Sequence, residues 1–283
     1  MADALPHSLL NGIIVATNEA AVSPFDRGFL FGDGVYEVAP VYGGKPFRLE
    51  AHFERLESGL DALGIANPHP RARWIELVYE LIAANGGGDM GIYLEVTRGV
   101  GRGRDFLPDP YMRPTVFGFC WRLGASSPRG IAAVTLEDIR WSRCDIKSIA
   151  LLAPVLLRME AHRRGADEAI LVRGDVLAEG SSSAVFLVKD GRIATPPASR
   201  ERLPSITRLV VGDVLDALGL PLEVREVPRG ELSTADEIWI ASSTREALPV
   251  TSLDGKAVGT GEPGLVWRRV FDEFQALKKR EAG

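Results

Sequence analysis

Lys147 stands at the mouth of an apolar run, following Trp141-Ser-Arg-Cys-Asp-Ile and preceding Ile149-Ala-Leu-Leu-Ala-Pro-Val-Leu-Leu157. Desolvation beside such a run favours the neutral, nucleophilic form of an amine. Alone, a lysine is more often a solvated surface charge. Further along, Glu179 follows an apolar segment and precedes Gly180-Ser181-Ser182-Ser183, so a carboxylate arrives beside a run of hydroxyl and amide donors. Ser205-Ile206-Thr207 opens a helical pattern, and the free amides and positive dipole end of a helix make an anion site. Ser242-Ser243-Thr244 offers donors of the same kind, and Arg55 adds a full positive charge. Each feature has a bland counterpart, since Ser/Thr clusters are commonly turns. Taken together, they suit a phosphorylated aldehyde held on a lysine as a Schiff base. That chemistry needs an amine, a phosphate cup and a partner for a ring nitrogen. A buried carboxylate keeps such a nitrogen protonated, and the ring can then accept electrons from a carbanion.

The elements that must position these groups are mixed helices and strands. Asn11-Gly12 is a turn signal ahead of a strand over residues 13–16. Residues 35–42 read as a strand ending at Gly43-Gly44; Pro40 within it marks an edge, a bulge or a cavity-lining position. Leu49, Phe53, Leu56, Leu60 and Leu63 recur at helical spacing, as do Trp74, Leu77, Val78, Leu81 and Ile82 in a second helix over 71–84. Strands follow over 92–98 and 115–121, separated by the Gly- and Arg-rich loop Gly99-Val-Gly-Arg102-Gly103-Arg104-Asp105-Phe106. A strand over 131–136 leads towards Lys147, and a helix spans 151–164. Residues 168–173 and the apolar segment after Gly174-Asp175 form a hairpin, and 183–189 with Asp190-Gly191 another. Ser205 caps a helix through Leu218, residues 237–241 form a strand, and a helix over 267–279 closes the chain. The regular βαβ beat of a doubly wound fold is missing.

Length, 283 residues, allows one large or two moderate domains, and the polar, Gly/Pro-bracketed stretch 123–130 divides 1–122 from 131–283. A net charge of -5 argues against a nucleic-acid footprint. Cys120 and Cys144 form neither a metal-ligand spacing nor a disulfide framework, so a reduced compartment and no metal are expected. No apolar run is long enough to span a bilayer, and no positively charged signal start precedes Arg27. The expectation is a cytoplasmic protein.

Five ordered motifs carry a resemblance: Asp26-Arg-Gly-Phe-Leu-Phe-Gly-Asp-Gly-Val-Tyr-Glu37, His52-Phe-Glu-Arg-Leu56, Cys144-Asp-Ile-Lys-Ser148, Glu179-Gly-Ser-Ser-Ser183 and Ile206-Thr-Arg208. On these, the chain resembles the class IV (fold type IV) pyridoxal-phosphate aminotransferases, most closely the D-amino-acid transaminases, from about Asn11 to the last helix. The resemblance implies an α+β, two-domain fold: a smaller α/β domain (1–122), a linker (123–130), and a larger C-terminal domain (131–283) with a β-barrel-like core that carries the Schiff-base lysine. It implies pyridoxal 5′-phosphate as cofactor, with Lys147 attaching it and shuttling the α-proton. Glu179 would pair with the ring nitrogen and Leu203 would pack on the ring. Arg55, Ile206, Thr207, Ser243 and Thr244 would hold the phosphate. Tyr36 and Val38 would line the substrate pocket. A small-molecule amino donor and a 2-oxo acid acceptor are the implied partners, with a homodimer lending the loop of residues 102–105 to the neighbouring site.

Several positions depart from that pattern. In D-amino-acid transaminases an Arg-x-His pair in this loop clamps the substrate carboxylate; here Gly103 and Asp105 occupy those places, leaving Arg102 or Arg104 as a shifted fork or as solvent-exposed loop charges. Pro40 replaces a lysine, Ala184 an asparagine and Ser205 a glycine. The expected activity is therefore D-amino acid:2-oxo acid transamination with a non-standard carboxylate trap. The alternative is an (R)-selective amine transaminase or a bifunctional enzyme. A branched-chain aminotransferase ranks behind these, because Val38 stands where that group carries glycine, as does an aminodeoxychorismate-lyase-like role. A catalytically idle binding homologue is opposed by the joint presence of Lys147, Glu179, Arg55 and Thr207.

Overall fold

The structure is a computed structural model and describes residues 3–125 and 129–282. The chain divides into two compact units, one formed by residues 1–124 with 146–151 and 282–283, the other by 125–145 with 152–281.

The first unit contains β1 (Ala4–Leu10), β2 (Ile13–Ala16), α1 (Arg27–Phe31), β3 (Gly34–Tyr42), β4 (Lys45–Pro46), α2 (Leu49–Leu63), α3 (Arg71–Ala84), β5 (Met90–Thr97) and β6 (Thr115–Arg122). Its strands form one antiparallel sheet in the order β2-β1-β6-β5-β3-β4. Alternation along each strand gives this sheet two different faces. Ile92, Leu94, Val96, Val116 and Cys120 face a core completed by Phe53, Leu56 and Leu60 of α2 and by Trp74, Leu77 and Leu81 of α3. The opposite face carries Tyr36, Val38, Tyr93, Glu95, Phe117, Phe119 and Trp121, all half-buried. Asn11-Gly12 and Gly43-Gly44 have positive φ at both positions, the primed turn that matches strand twist.

Pro40 lies at the edge foreseen for it. Its carbonyl accepts from the Phe47 amide on the side away from β5, so its missing N–H removes no rung to that strand. Two elements escape the sequence pattern. β1 hides behind Pro6, which sits where the β1–β6 register shifts, and α1 is only five residues long.

The second unit contains β7 (Ile131–Glu137), α4 (Leu152–Arg163), β8 (Glu168–Arg173), β9 (Val176–Gly180), β10 (Ala184–Lys189), β11 (Arg192–Thr195), α5 (Ile206–Ala217), β12 (Leu222–Val224), α6 (Arg229–Leu232), β13 (Glu237–Ser242), β14 (Glu246–Leu253), β15 (Lys256–Ala257) and α7 (Leu265–Ala282). The strands run β12-β11-β10-β13-β14-β7-β8-β9, with β15 beside β14. The barrel-like core expected for this half takes the form of a curled half-barrel sheet. Ile170, Leu187, Ile240 and Val250 lie in one apolar cluster of this unit, and Val134, Leu157, Ala161 and Leu171 in a second, to which α4 contributes.

The sequence division into 1–122 and 131–283 places Lys147 with the C-terminal half, whereas residues 146–151 cluster with the first unit. The cause is main-chain pairing. The Tyr36 amide donates to the Lys147 carbonyl (3.0 Å), the Ile149 amide donates to the Gly34 carbonyl (3.1 Å), and Val35 bridges Ser148. Residues 126–128 of the expected linker lie outside the described residues.

Candidate active site

In the first unit, the segment carrying Lys147 is an extra rung on the free edge of β3. Pairing of residues 34–36 with 149–147 sets Lys147 opposite Tyr36, and its Nζ lies 4.1 Å from the Tyr36 ring centroid. The motif Gly32-Asp33-Gly34 makes this approach feasible. Gly32 takes the left-handed conformation that ends α1, and a Cβ on Gly34 would sit 2.7 Å from the Val96 carbonyl oxygen and 3.0 Å from Ile149 Cδ1. Asp33 between them accepts from Arg27 Nε (2.7 Å) and Arg98 Nε (2.8 Å). Both partners hold its carboxyl below the usual range despite its partial burial.

Two of the sequence motifs meet at one carboxylate, Glu37 on the helix-facing side of β3. Arg55 donates to it through Nε (2.7 Å) and Nη2 (2.8 Å), and His52 Nδ1 lies 2.7 Å away. Burial opposes the charge on Glu37, but Arg55 and the His52 hydrogen bond outweigh it and hold the acid down to about 2. The same burial pushes His52 down, against the pull of Glu37. Arg55 thus pairs with β3 rather than with its helix neighbours Glu54 or Glu57; Glu57 is taken by Arg71. Glu37 and His52 were not singled out from sequence, although both lie within quoted motifs.

Tyr36 and Val38 share the half-buried face of the sheet. Arg102 and Arg104 are exposed, and Arg104 packs over the Phe31 and Phe106 rings, 5.9 and 5.3 Å from their centroids. Their loop is strapped by the buried Arg27, which donates to the carbonyls of Asp105 (2.5 Å) and Phe106 (3.0 Å).

In the second unit, Glu179 on β9 is buried and accepts from Arg140 and from the Leu203 amide (3.3 Å to each oxygen). Burial pushes its acid up, with Arg140 pulling the other way. Arg140 also grips Asp138 through Nε and Nη2, each at 2.9 Å. Burial works against its charge, and the two carboxylates more than compensate. Arg140 was not read from the sequence; the only local sign was its i,i+2 spacing from Asp138.

The phosphate candidates divide by local chemistry. Ser205 caps α5 by accepting from the Arg208 amide (3.2 Å). The Ile206 and Thr207 amides and the Thr207 hydroxyl make no hydrogen bond among the described residues, leaving donors at a helix N-terminus. α5 packs on β13, which ends at Ser242, directly before Ser243 and Thr244. The serines after Glu179 are committed elsewhere. Ser181 donates to the fully buried Glu168, and Ser183 does so at 3.4 Å. Arg245 pairs with Glu168 and donates to Ser182 (3.2 Å).

The family description "Amino-transferase class IV" matches residues 34–253. The chain belongs to the class IV aminotransferases. It is 37% identical to the D-alanine aminotransferase of Staphylococcus epidermidis over 94% of this chain and 95% of that one. The Escherichia coli branched-chain amino acid aminotransferase superposes with a TM-score of 0.92 at 26% identity, covering 96% of this chain and 94% of that one. A thermophilic branched-chain amino acid aminotransferase, solved with pyridoxamine 5′-phosphate, gives 0.89 at 26% identity, covering 97% and 94%. This class IV aminotransferase is accordingly a pyridoxal 5′-phosphate enzyme. Its own residues fit the cofactor: an amine on Lys147, a buried acid at Glu179 for a ring nitrogen, and uncommitted amides at Ile206 and Thr207 for a phosphate.

Proposed function

We propose that this class IV aminotransferase moves the amino group of a D-amino acid to a 2-oxo acid by a ping-pong reaction. The observation that carries the reading is Lys147, an amine held by main-chain bonds beside Tyr36. The D-alanine aminotransferase relatives supply the donor class. Bound pyridoxal 5′-phosphate supplies the electron sink for the bond broken at the donor's α-carbon. Lys147 Nζ binds the cofactor, then takes the α-proton and returns it at the cofactor's C4′ atom. Glu179, oriented by Arg140 and the Leu203 amide, keeps the ring nitrogen protonated, and Leu203 packs on the ring. Arg55, Ile206, Thr207, Ser243 and Thr244 hold the phosphate, and Tyr36 and Val38 line the substrate pocket.

Arg102 or Arg104 serves as the carboxylate trap from a neighbouring subunit. Exposed Phe106, Leu107 and Tyr111 on the same loop support a homodimer. Two buried free thiols, Cys120 and Cys144, support a cytoplasmic setting. The second reading, an (R)-amine transaminase, is favoured by Asp105, a carboxylate in the loop where relatives place a cation.

The test is a donor panel of D- and L-amino acids with (R)- and (S)-1-phenylethylamine, against pyruvate and 2-oxoglutarate. D-amino acid turnover that Lys147→Ala abolishes, together with the absorbance of the lysine-bound cofactor, is expected. Turnover of L-amino acids alone, or an active Lys147→Ala protein, refutes the reading.

A further inference from the structure

One rung of the first sheet joins the reactive amine to an acid that the reaction does not use. Lys147 stands opposite Tyr36, Tyr36 opposite Glu95, and Glu95 opposite Phe117, all on the half-buried face. Adjacent strands lie about 4.8 Å apart, so the main chains of Lys147 and Glu95 are about 10 Å apart, the span of a small donor. Glu95 is walled by aromatic residues. The Tyr36 and Tyr93 rings stack at 5.5 Å, Tyr93 and Phe119 pack at 5.2 Å, and Phe117 and Phe119 at 5.9 Å. Tyr93 donates its hydroxyl to Glu95 Oε2 (2.7 Å), and no other hydrogen bond reaches this carboxylate among the described residues. Among the described residues no arginine or lysine pairs with it, unlike Glu37, Glu168 and Glu179. Burial pushes its acid up, assisted by the charge of Asp26 and opposed by the Tyr93 hydrogen bond.

An unpaired acid in an aromatic wall resists a second anion and tolerates neutral or cationic groups. We infer that Glu95 is a specificity residue of the transaminase site, selecting against donors that bring additional carboxylate groups. This deepens the proposed function and rests on it. A like charge at pocket distance shifts binding by about one power of ten.

The experiment compares holoenzyme and Glu95→Gln with D-glutamate and (R)-1-phenylethylamine as donors and pyruvate as acceptor. Glutamine keeps an acceptor for the Tyr93 hydroxyl while deleting the charge. The ratio of kcat/KM for D-glutamate to that for the amine is expected to rise about tenfold, through KM rather than kcat. Tyr93→Phe, which keeps the charge and deletes the hydrogen bond, is expected not to raise the ratio. An unchanged ratio in Glu95→Gln, or an equal rise in both variants, overturns the inference while leaving the transaminase reading intact. If the unaltered holoenzyme turns over neither donor nor D-alanine, the functional reading falls and takes this inference with it.

Discussion

Arg140→Gln should be among the most damaging single changes outside the reactive lysine. Arg140 spans two buried acids, Asp138, whose side chain has no exposure, and Glu179, at 9%. Removing a guanidinium from a buried network leaves its carboxylates uncompensated, at a cost of about 3–5 kcal/mol. Arg173 still donates to Asp138 at 2.9 Å and is half-buried, which places the loss near the lower end. At about 2–4 °C per kcal/mol for a unit of this size, the melting midpoint of cofactor-free protein should fall by roughly 6–12 °C. The pH dependence supplies a second check. Burial opposes ionisation of Asp138, yet Arg140 holds its acid below the ordinary value. That stabilisation is present above the unfolded pKa and is lost as pH falls through the folded one. In Arg140→Gln the burial cost persists without the cation, so the buried carboxyls titrate above their unfolded values and protonation relieves the strain. The gap between the two proteins should therefore narrow between about pH 7.5 and about pH 5. A gap below about 2 °C, or one that widens as the pH falls, would refute the account of Arg140 as the counter-charge to both acids.

Two further outcomes follow from local geometry. Gly34→Ala forces a methyl into the Val96 carbonyl and the Ile149 side chain; stability should drop by about 1–3 kcal/mol, and kcat should fall as the Lys147 rung shifts, with circular dichroism unchanged. Ser205→Ala removes the cap of α5 and should cost about 1 kcal/mol in a thermal melt, and a cofactor titration of apoprotein should show weaker binding as the helix start frays.

The sequence was most informative where periodicity is strong. Apolar spacing located α2 and α3 to the residue, because both present one broad stripe to a sheet. It was silent on β1, where Pro6 interrupts the pattern, and on β14, which opens at Glu246 in a left-handed conformation and contains Pro249. At the site, the motifs supplied Lys147, Glu179 and Arg55, but not the partners that hold them. Glu37 and Arg55 are eighteen residues apart, and Arg140 and Glu179 thirty-nine. Such pairs are made by the fold, and no local spacing marks them. The serines after Glu179 show the converse, a conspicuous run whose first and last hydroxyls are spent on a buried carboxylate that periodicity did not distinguish from any other.

The rung that carries Lys147 also separates two kinds of heritable change. Its position rests on peptide bonds shared with Gly34 and Tyr36, which any side chain can make, whereas Val38, Tyr93, Glu95 and Phe119 act only through what projects from them. Point substitution on that face can retune the donor range one residue at a time while the amine stays in place. An insertion or deletion of a single residue next to Lys147 acts differently: strand alternation would turn the amine to the opposite side in one step. Lineages descending from this chain can therefore drift in substrate by substitution, yet lose the reaction altogether by one codon gained or lost.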